Sequence, residues 1–199
     1  MSRKVFVIIA GIGAICMIAL TMLNNEQGYQ QRILKAREQQ LYNFQTSKNS
    51  PFATIEKPSN LSFFEINEQF KTIAKVVPIT SYQPFVLKKN DENEQQTFVK
   101  YAYLDFSLAG KKCRLTLFQN EKDESDYLLP FTDQTSGKNS YGSGRFLPVQ
   151  NFNINKDYVI DFNLATNPYC AYNENYVCPL PPEENHVDVA IEAGEKNYH

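Results

Sequence analysis

The sequence predicts a mainly β domain, an antiparallel sandwich or open barrel of about eight strands, preceded by an N-terminal transmembrane or signal helix and a short amphipathic helix. Three observations support this fold class. An uncharged apolar run lies near the N-terminus, a polar helical segment follows it, and from Leu61 onward the apolar residues alternate with a period of two. Turn residues separate the alternating segments, which favours an antiparallel sheet over an α/β fold.

The composition is that of an ordinary folded protein. With 199 residues, 42% hydrophobic residues and a formal net charge of -2, the chain is neither disordered nor strongly basic. This balance indicates no nucleic-acid partner. Trp is absent, whereas 14 Phe and 12 Tyr are present, so the core must be built from single aromatic rings and several tyrosine hydroxyls need hydrogen-bond partners.

Residues 1–24 are typical of a signal anchor or transmembrane segment. Arg3 and Lys4 precede the uncharged apolar run Val5–Leu23, whose roughly 19 residues would span the ~30 Å hydrocarbon core as a helix. A cleaved signal peptide has a shorter apolar stretch and a small-x-small cleavage site, for which Ala19–Thr21 is a poor match. We therefore expect residues 5–23 to contact the membrane as an uncleaved anchor; secretion after signal cleavage is the alternative.

The cations that flank this run predict its orientation. Arg3 and Lys4 lie on one side, and no cation occurs from Asn24 to Gln31 on the other. The positive-inside rule then places the bulk of the chain outside the cytoplasm, although the basic residues from Arg32 onward oppose this reading. We expect a single-pass protein of the cell membrane whose bulk is extracytoplasmic (periplasmic).

Cys170 and Cys178 are candidates for a disulfide. A bridge between them would close a loop of roughly nine residues and stabilise the fold by about 2.6 kcal/mol, and it would require an oxidising compartment. Zinc is a weaker interpretation because the Cys-x7-Cys spacing is unusual for a zinc site. Cys113 alternates with Leu115 and Leu117, so we expect an inert side chain on the buried face of a strand.

Residues 25–50 are typical of a polar helix and a linker. Four apolar residues share one loose helical face in this Gln-rich segment, namely Ile33, Leu34, Leu41 and Phe44. They predict a short helix that ends near Asn43. Pro51 and Pro58 then mark the start of a β-rich domain, which we assign to residues 51–199.

Segments of that domain in which β-branched and aromatic residues alternate with polar ones predict strands. These are Ile73–Val77, Gln83–Leu87, Thr97–Leu108, Cys113–Phe118, Tyr127–Phe131, Arg145–Val149, Tyr158–Phe162 and Val187–Ile191. Thr97–Phe118 is the clearest hairpin, with its turn at Ala109-Gly110-Lys111. Two irregular stretches, Thr132–Gly144 and Asn163–Glu184, interrupt the pattern, and loops as long as the second are uncommon unless they are pinned or functional.

The irregular stretches and the C-terminus also carry a family resemblance. The matching strings, in order, are Pro130–Gly137, Tyr141–Leu147, Asp161–Tyr172, Cys178–Pro182, Glu184-Asn185 and Ala193–Lys196. They resemble the signature of the domain of unknown function 1684 family, over most of the chain from about Tyr29 to Tyr198. Ser143 and Thr166 depart from that signature, and neither change removes a charged group. The resemblance implies a shared fold and site, often behind a signal or anchor segment in bacteria, and no assigned reaction.

Familiar catalytic and metal-binding patterns fit the chain poorly. Gly137–Ser140 lacks the upstream glycine of a Walker loop, and Gly142-Ser143-Gly144 lacks the spacing of a hydrolase elbow. A disulfide would abolish a Cys170 or Cys178 nucleophile. The acidic run Asp123–Asp126 lacks the ligand spacing of a calcium loop. We therefore assign no catalytic residue, no metal ligand and no cofactor.

A set of polar residues beside the irregular stretches is the candidate ligand-binding site. Its members are Asp133, Arg145, Asp161, Asn163, Glu184, Asn185, Glu195 and Lys196. The guanidinium of Arg145 can hold a carboxylate or phosphate in a bidentate pair. It can equally pair with Asp133 or Asp161 and lock the long loops onto the sheet, and both roles stay open.

The first functional hypothesis is a membrane-anchored extracytoplasmic protein whose β domain binds a small anionic ligand, a glycan or an envelope protein. The second is a cell-envelope hydrolase that uses a carboxylate pair drawn from Asp133, Asp161 and Glu195, which would need unequal pKa values. The third is a purely structural envelope protein. Whether the protein is an enzyme stays open, and the poor fit to catalytic patterns favours binding.

Overall fold

The structure, a computed structural model, describes residues 3–87, 96–176 and 178–198, and for residues 3–24, 86, 87 and 96 it describes the backbone alone. The chain divides into two compact units, Met1–Gln39 and Gln40–His199. The first unit is helical. The second contains all of the strands that the structure describes and all of the candidate site residues.

One continuous helix, α1, runs from Arg3 to Thr46. The prediction of a separate short helix is therefore wrong, because a single glycine, Gly28, costs only about 1 kcal/mol inside a helix and does not divide it. Across the described residues, no helix combines the length and the hydropathy that a membrane crossing requires. The side chains of the predicted anchor, residues 5–23, lie outside the described ones.

The second unit is built on two sheets. In the described ranges its strands are β1 (Lys71–Pro78), β2 (Pro84–Leu87), β3 (Gln96–Leu108), β4 (Lys111–Asn120), β5 (Tyr127–Leu128), β6 (Pro130–Asp133), β7 (Arg145–Phe146), β8 (Tyr158–Asp161) and β9 (His186–Val187). The main sheet is an antiparallel half-barrel in the order β5-β4-β3-β1-β8, with β2 also paired to β3, and a small sheet has the order β7-β6-β9. The predicted mainly β class is confirmed.

Some strand bounds differ from the alternation in the sequence. The segment predicted as one strand, Tyr127–Phe131, is divided between two sheets, because the chain pairs with β4 up to Leu128 and with β7 and β9 from Pro130. The predicted strands Arg145–Val149 and Val187–Ile191 shorten to β7 and β9. After β9 the backbone hydrogen-bonds to a side chain and not to a neighbouring strand: the Ile191 amide donates to the Asp133 carboxylate at 2.7 Å.

β3 and β4 form the predicted hairpin. Their register continues to Leu108 opposite Lys111 and leaves a two-residue turn. Ala109 and Gly110 in that turn have φ values of 49° and 76°, and positive φ at both central positions matches the twist of the flanking strands. Cys113, across from Phe106, packs partly buried against the main core, as expected for the inward face.

β1 changes its partner half-way along. Lys75–Pro78 pairs with β3, whereas Lys71–Ala74 pairs with β8. Beside the hairpin turn, the first half of β1 therefore no longer follows the β3 edge, although the Thr72 hydroxyl still donates to the Ser107 carbonyl at 3.2 Å. A groove lined by residues of β1, β3 and β4 lies at this divergence.

The core of the second unit has two main parts. The larger part lies between the two sheets and is aliphatic and aromatic, with Leu104, Leu115, Leu117, Phe131, Phe162 and Ile191 all at most 1% exposed. A smaller aromatic cluster of Phe44, Phe52, Ala171 and Tyr172 joins the end of α1 to the long irregular stretch. Single rings fill both parts, as the absence of Trp requires.

Candidate functional site

Arg145 begins β7, and its side chain is fully buried at 0% exposure. One guanidinium nitrogen, Nη1, donates to the backbone carbonyls of Ala193 and, at 3.1 Å, of Glu195. The other, Nη2, donates to the Ile191 carbonyl at 3.0 Å and lies 3.4 Å from Asp133 Oδ1. Arg145 therefore fastens the C-terminal segment, residues 191–195, to the small sheet.

Asp133 is the charge partner of Arg145 and is 3% exposed. Its carboxylate accepts hydrogen bonds from the Thr135 hydroxyl at 2.9 Å and from the Ile191 amide at 2.7 Å. Burial lowers the pKa of the Arg145 guanidinium, and the charge of Asp133 opposes that shift. The pair thus occupies the interior, with its contacts directed to the protein backbone and not to an opening.

Glu195 lies beside this pair and is 1% exposed. Its carboxylate accepts hydrogen bonds from the Tyr172 hydroxyl at 2.6 Å, from Gln40 Nε2 at 2.9 Å and from the Asn167 amide at 3.0 Å. Burial raises the pKa of the Glu195 carboxyl, and these donors oppose the shift. Glu195 connects the C-terminal segment to the last turns of α1 and to the long irregular stretch.

Asn185 and Glu184 form a second group, against β4. Asn185 is 0% exposed and bonds to both the amide and the carbonyl of Thr116, at 2.8 and 2.9 Å, and to the Pro130 carbonyl at 2.7 Å. Glu184 is more exposed and pairs with Lys100 at 2.8 Å. Asn185 therefore satisfies the backbone groups where the main sheet meets the small one.

Replacing Asn185 by Ala should lower the free energy of unfolding by about 1–3 kcal/mol, because buried backbone groups lose their partners. Replacing its neighbour Glu184 by Ala should cost only about 1 kcal/mol, since its ion pair with Lys100 is partly exposed and it accepts a single further hydrogen bond, from the Thr116 hydroxyl. Thermal unfolding of the detergent-solubilised full-length protein, followed by near-UV circular dichroism of its tyrosines, measures both. Equal losses for the two variants would contradict the assignment of Asn185 as the pin between the sheets.

Asp161, Asn163 and Lys196 lie in a third region. Asp161 accepts a hydrogen bond from the Asn163 amide at 3.0 Å and caps the short 3-10 helix Phe162–Leu164. Asn163 is buried and bonds to the backbone of Asn67 at 2.8 and 2.9 Å. The Lys196 ammonium lies 5.2 Å from the centre of the Phe64 ring, a cation–π contact.

The structure thus divides the predicted site residues into separate groups. Asp133, Arg145 and Glu195 lie together in the interior, whereas the remaining members lie against β4 or beside Asn67 and Phe64. Catalysis by two carboxylates requires access to solvent and substrate, and Asp133 and Glu195 are 3% and 1% exposed. Their burial argues against the carboxylate-pair hydrolase hypothesis.

The predicted Cys170–Cys178 bridge is not formed in this structure, where both residues are free thiols. The two side chains are nevertheless neighbours. The Cys170 amide donates to Cys178 Sγ at 3.0 Å. The Tyr141 hydroxyl lies 3.9 Å from Cys170 Sγ.

The groove beside β1, here named the sheet groove, is an open concave feature with a volume of about 630 Å³. This size is within the range of small-molecule sites. Strands β1, β3 and β4 and the residue before β8 contribute to it, and its lining consists of Thr72, Ile73, Lys75, Asp105, Phe106, Ser107, Lys112, Cys113, Arg114 and Asp157. Sequence reasoning did not identify it.

Positive charge exceeds negative charge in the sheet groove. Arg114 is held by Asp105 in a bidentate pair at 2.5 and 2.7 Å, and its guanidinium lies 4.6 Å from the centre of the Tyr103 ring. The Arg114 hydrogen bonds lower the pKa of the Asp105 carboxyl, so this pair stays ionised. Lys75 and Lys112 then face Asp157 as the remaining charges of the lining, which leaves a formal charge of about +1.

An exposed apolar pair borders these cations. Ile73 is 66% exposed, and Val159, its cross-strand partner on β8, is 51% exposed. Desolvation raises the pKa of Cys113 in the same groove, so its thiol stays protonated and is a poor nucleophile. The charges and the apolar pair of the sheet groove together suit an anion that carries a small apolar group.

Comparison with known proteins places the chain in a known sequence family without a described activity. A family model described as "Protein of unknown function (DUF1684)" matches residues 57–196. Among solved structures, the chain is similar to the solution NMR structure of an uncharacterized protein from Haloarcula marismortui, with 28% sequence identity and a TM-score of 0.68 over 87% of this chain and 96% of that chain. None of the curated proteins searched matches the chain.

Proposed function

The chain belongs to the DUF1684 family of unknown function, and from its residues we propose a membrane-anchored, extracytoplasmic protein whose β domain binds a small amphipathic anion in the sheet groove. The anion is a carboxylate or phosphate attached to a short apolar group. The observation that carries this proposal is the cationic lining next to the exposed pair Ile73 and Val159, in a groove of about 630 Å³. A glycan has fewer apolar groups than such an anion and would make less contact with Ile73 and Val159.

The cations of the sheet groove have different roles in this proposal. Arg114 is paired with Asp105. It therefore contributes to the positive potential of the groove, and its guanidinium is not free to form a bidentate pair with a ligand. Lys75 also attracts Asp105 electrostatically. Lys112 has no ion-pair partner within residues 3–87, 96–176 and 178–198, so its ammonium is the group that meets the ligand anion.

The membrane part of the proposal rests on the sequence. The apolar run Val5–Leu23 has the length of a span, and Arg3 and Lys4 at its start favour a cytoplasmic N-terminus. The β domain would then face the periplasm, or would be released there if the segment were cleaved.

Replacing Lys112 by Gln should weaken the binding of butyl phosphate by about tenfold, equivalent to ~1.4 kcal/mol, because a hydrogen bond to a charged group is lost. The matched control is Lys122→Gln, which removes an exposed lysine in the turn after β4 and should leave binding unchanged. NMR titration of the full-length protein in lipid nanodiscs measures both. Inorganic phosphate and butanol, which each lack one half of the probe, should bind more weakly than butyl phosphate.

Two results would contradict this function. Equal affinity of the Lys112→Gln and Lys122→Gln variants would show that the anion binds elsewhere. The second contrary result is a lack of resonance shifts at Ile73, Ser107 and Lys112 with any of the three probes. In that case the purely structural envelope role would be the remaining hypothesis.

A further inference from the structure

We propose that Cys170 and Cys178 form a thiol–disulfide exchange site, in which Cys170 attacks a disulfide and Cys178 resolves the mixed disulfide. This inference is independent of the sheet groove and of its ligand. It depends on the contact between the two thiols, on their accessibility and on the groups that stabilise a thiolate at Cys170.

The geometry brings the two sulfurs together in the folded chain. Cys170 and Cys178 are both partly exposed, so a small disulfide can reach them. The Cys170 amide already donates to Cys178 Sγ at 3.0 Å, and the charge state of each thiol affects the pKa of the other. The Cys178 sulfur thus already lies against the backbone of Cys170, the residue with which it would form the bridge.

The surroundings of the two sulfurs differ, which assigns their roles. Hydrogen bonds from the Cys178 thiol and the Tyr141 hydroxyl lower the pKa of Cys170 to about 7, and the shared proton raises the pKa of Cys178. The thiolate is the nucleophile in exchange reactions. Cys170 is thus the attacking residue, and Cys178 holds the proton until it is needed.

The exchange with glutathione disulfide balances in two steps. The Cys170 thiolate attacks one sulfur of glutathione disulfide, a Cys170–glutathione bond forms, and the displaced glutathione thiolate takes up a proton. Cys178 then loses its proton, and its sulfur attacks the Cys170 sulfur and displaces the second glutathione. Two protein thiols are oxidised to one disulfide, and one glutathione disulfide is reduced to two glutathione molecules.

The site lies next to the contacts that hold the segment after α1. Asn173 Nδ2 donates to the Pro51 carbonyl at 2.8 Å, and the Tyr176 hydroxyl donates to the Ser50 carbonyl at 3.1 Å. Both donors belong to the loop that a Cys170–Cys178 bridge would close. A disulfide reduces the number of conformations that this loop can adopt when it detaches. Oxidation should therefore stabilise its hydrogen bonds to Ser50 and Pro51.

The experiment treats the full-length protein in lipid nanodiscs with glutathione disulfide and follows its mass and free thiols over time. The expected product is an intramolecular disulfide with Cys113 still reduced, since burial raises the pKa of that thiol. In the Cys178→Ser variant a glutathione adduct should accumulate on Cys170. In the Cys170→Ser variant the adduct on Cys178 should form about tenfold more slowly, because the Tyr141 hydroxyl stabilises a thiolate at Cys170 and burial disfavours one at Cys178.

Hydrogen exchange provides a second readout. In the oxidised protein, the amides of Asn173 and Tyr176, which donate to Tyr169 and Asn173, should exchange more slowly than in the reduced protein. The wild-type measurement needs no substitution, so it tests the proposal even if a variant fails to fold. Thiols that stay free under excess glutathione disulfide, or faster adduct formation at Cys178 than at Cys170, would overturn the proposal.

Discussion

Replacement of Arg145 by Met is expected to lower the midpoint of thermal unfolding by about 6–20 °C. Removal of one partner from a buried ion pair costs roughly 3–5 kcal/mol, and each kcal/mol shifts the midpoint of a domain of this size by about 2–4 °C. Met keeps an unbranched apolar stem, so the loss comes mainly from the ion pair and the hydrogen bonds of the guanidinium. The variant leaves Asp133 without its cation and three carbonyls of residues 191–195 without their donor.

The matched control for this experiment is Arg114→Met. Arg114 also forms an ion pair, but its side chain is 53% exposed and that of Asp105 is 36% exposed. An exposed pair contributes about 0–1 kcal/mol, so the control midpoint should fall by less than about 4 °C. Near-UV circular dichroism of the detergent-solubilised full-length protein reports on both, since its aromatic signal comes from Tyr and Phe. A shift below about 2 °C for Arg145→Met would show that the fold does not depend on Arg145.

The sequence identified the hairpin and the class of fold because both depend on local patterns. Thr97–Leu108 and Cys113–Phe118 alternate strongly, and Ala109-Gly110 supplies the positive φ values that a two-residue turn requires. The chain changes from the main sheet to the small sheet after Leu128. This change depends on which strand lies beside Pro130 in the assembled fold. Alternation alone therefore predicted one strand where two exist.

The polar residues around Arg145 show a similar division between local and non-local information. Pairing of Arg145 with Asp133 was one of two roles left open by the sequence, and the structure places these residues together. The backbone carbonyls that complete the site come from residues 191–195, about fifty positions away along the chain. No side-chain pattern encodes a carbonyl acceptor, so sequence could not indicate that backbone carbonyls in the interior bind both terminal nitrogens of the guanidinium.

The sheet groove was not predictable for a related reason. Lys75, Lys112 and Arg114 alternate with inward residues and have the pattern of an ordinary solvated strand face. Their convergence depends on the point at which β1 leaves β3 for β8, and that point is set by register. A signal was present only in Ile73, an apolar residue on the polar side of its strand.

Replacement of Gly194 by Ala is the second large effect expected, with a loss of about 2–5 kcal/mol in the free energy of unfolding. Gly194 has a φ of +76°, and a Cβ there would lie 2.6 Å from the Phe162 carbonyl oxygen and 2.7 Å from that of Ala165. The left-handed backbone costs an L-residue about 1–2 kcal/mol, and overpacking against other backbone adds about 1–3 kcal/mol. Neither carbonyl can move easily, because the Phe162 carbonyl accepts from Ala165 and the Ala165 carbonyl accepts from Glu195.

Gly110→Ala separates the two causes. Gly110 has the same φ of +76°, but nothing lies within 4 Å of a Cβ placed there, so this variant carries only the backbone cost of about 1–2 kcal/mol. The difference between the two variants in thermal unfolding is the steric contribution at Gly194. Because Gly194 lies between two of the residues whose carbonyls bind Arg145, displacement of its backbone should also loosen the Arg145 contacts. Equal losses at Gly194 and Gly110 would mean that residues 191–195 can shift freely, and the same result would weaken the assignment of Arg145 as their anchor.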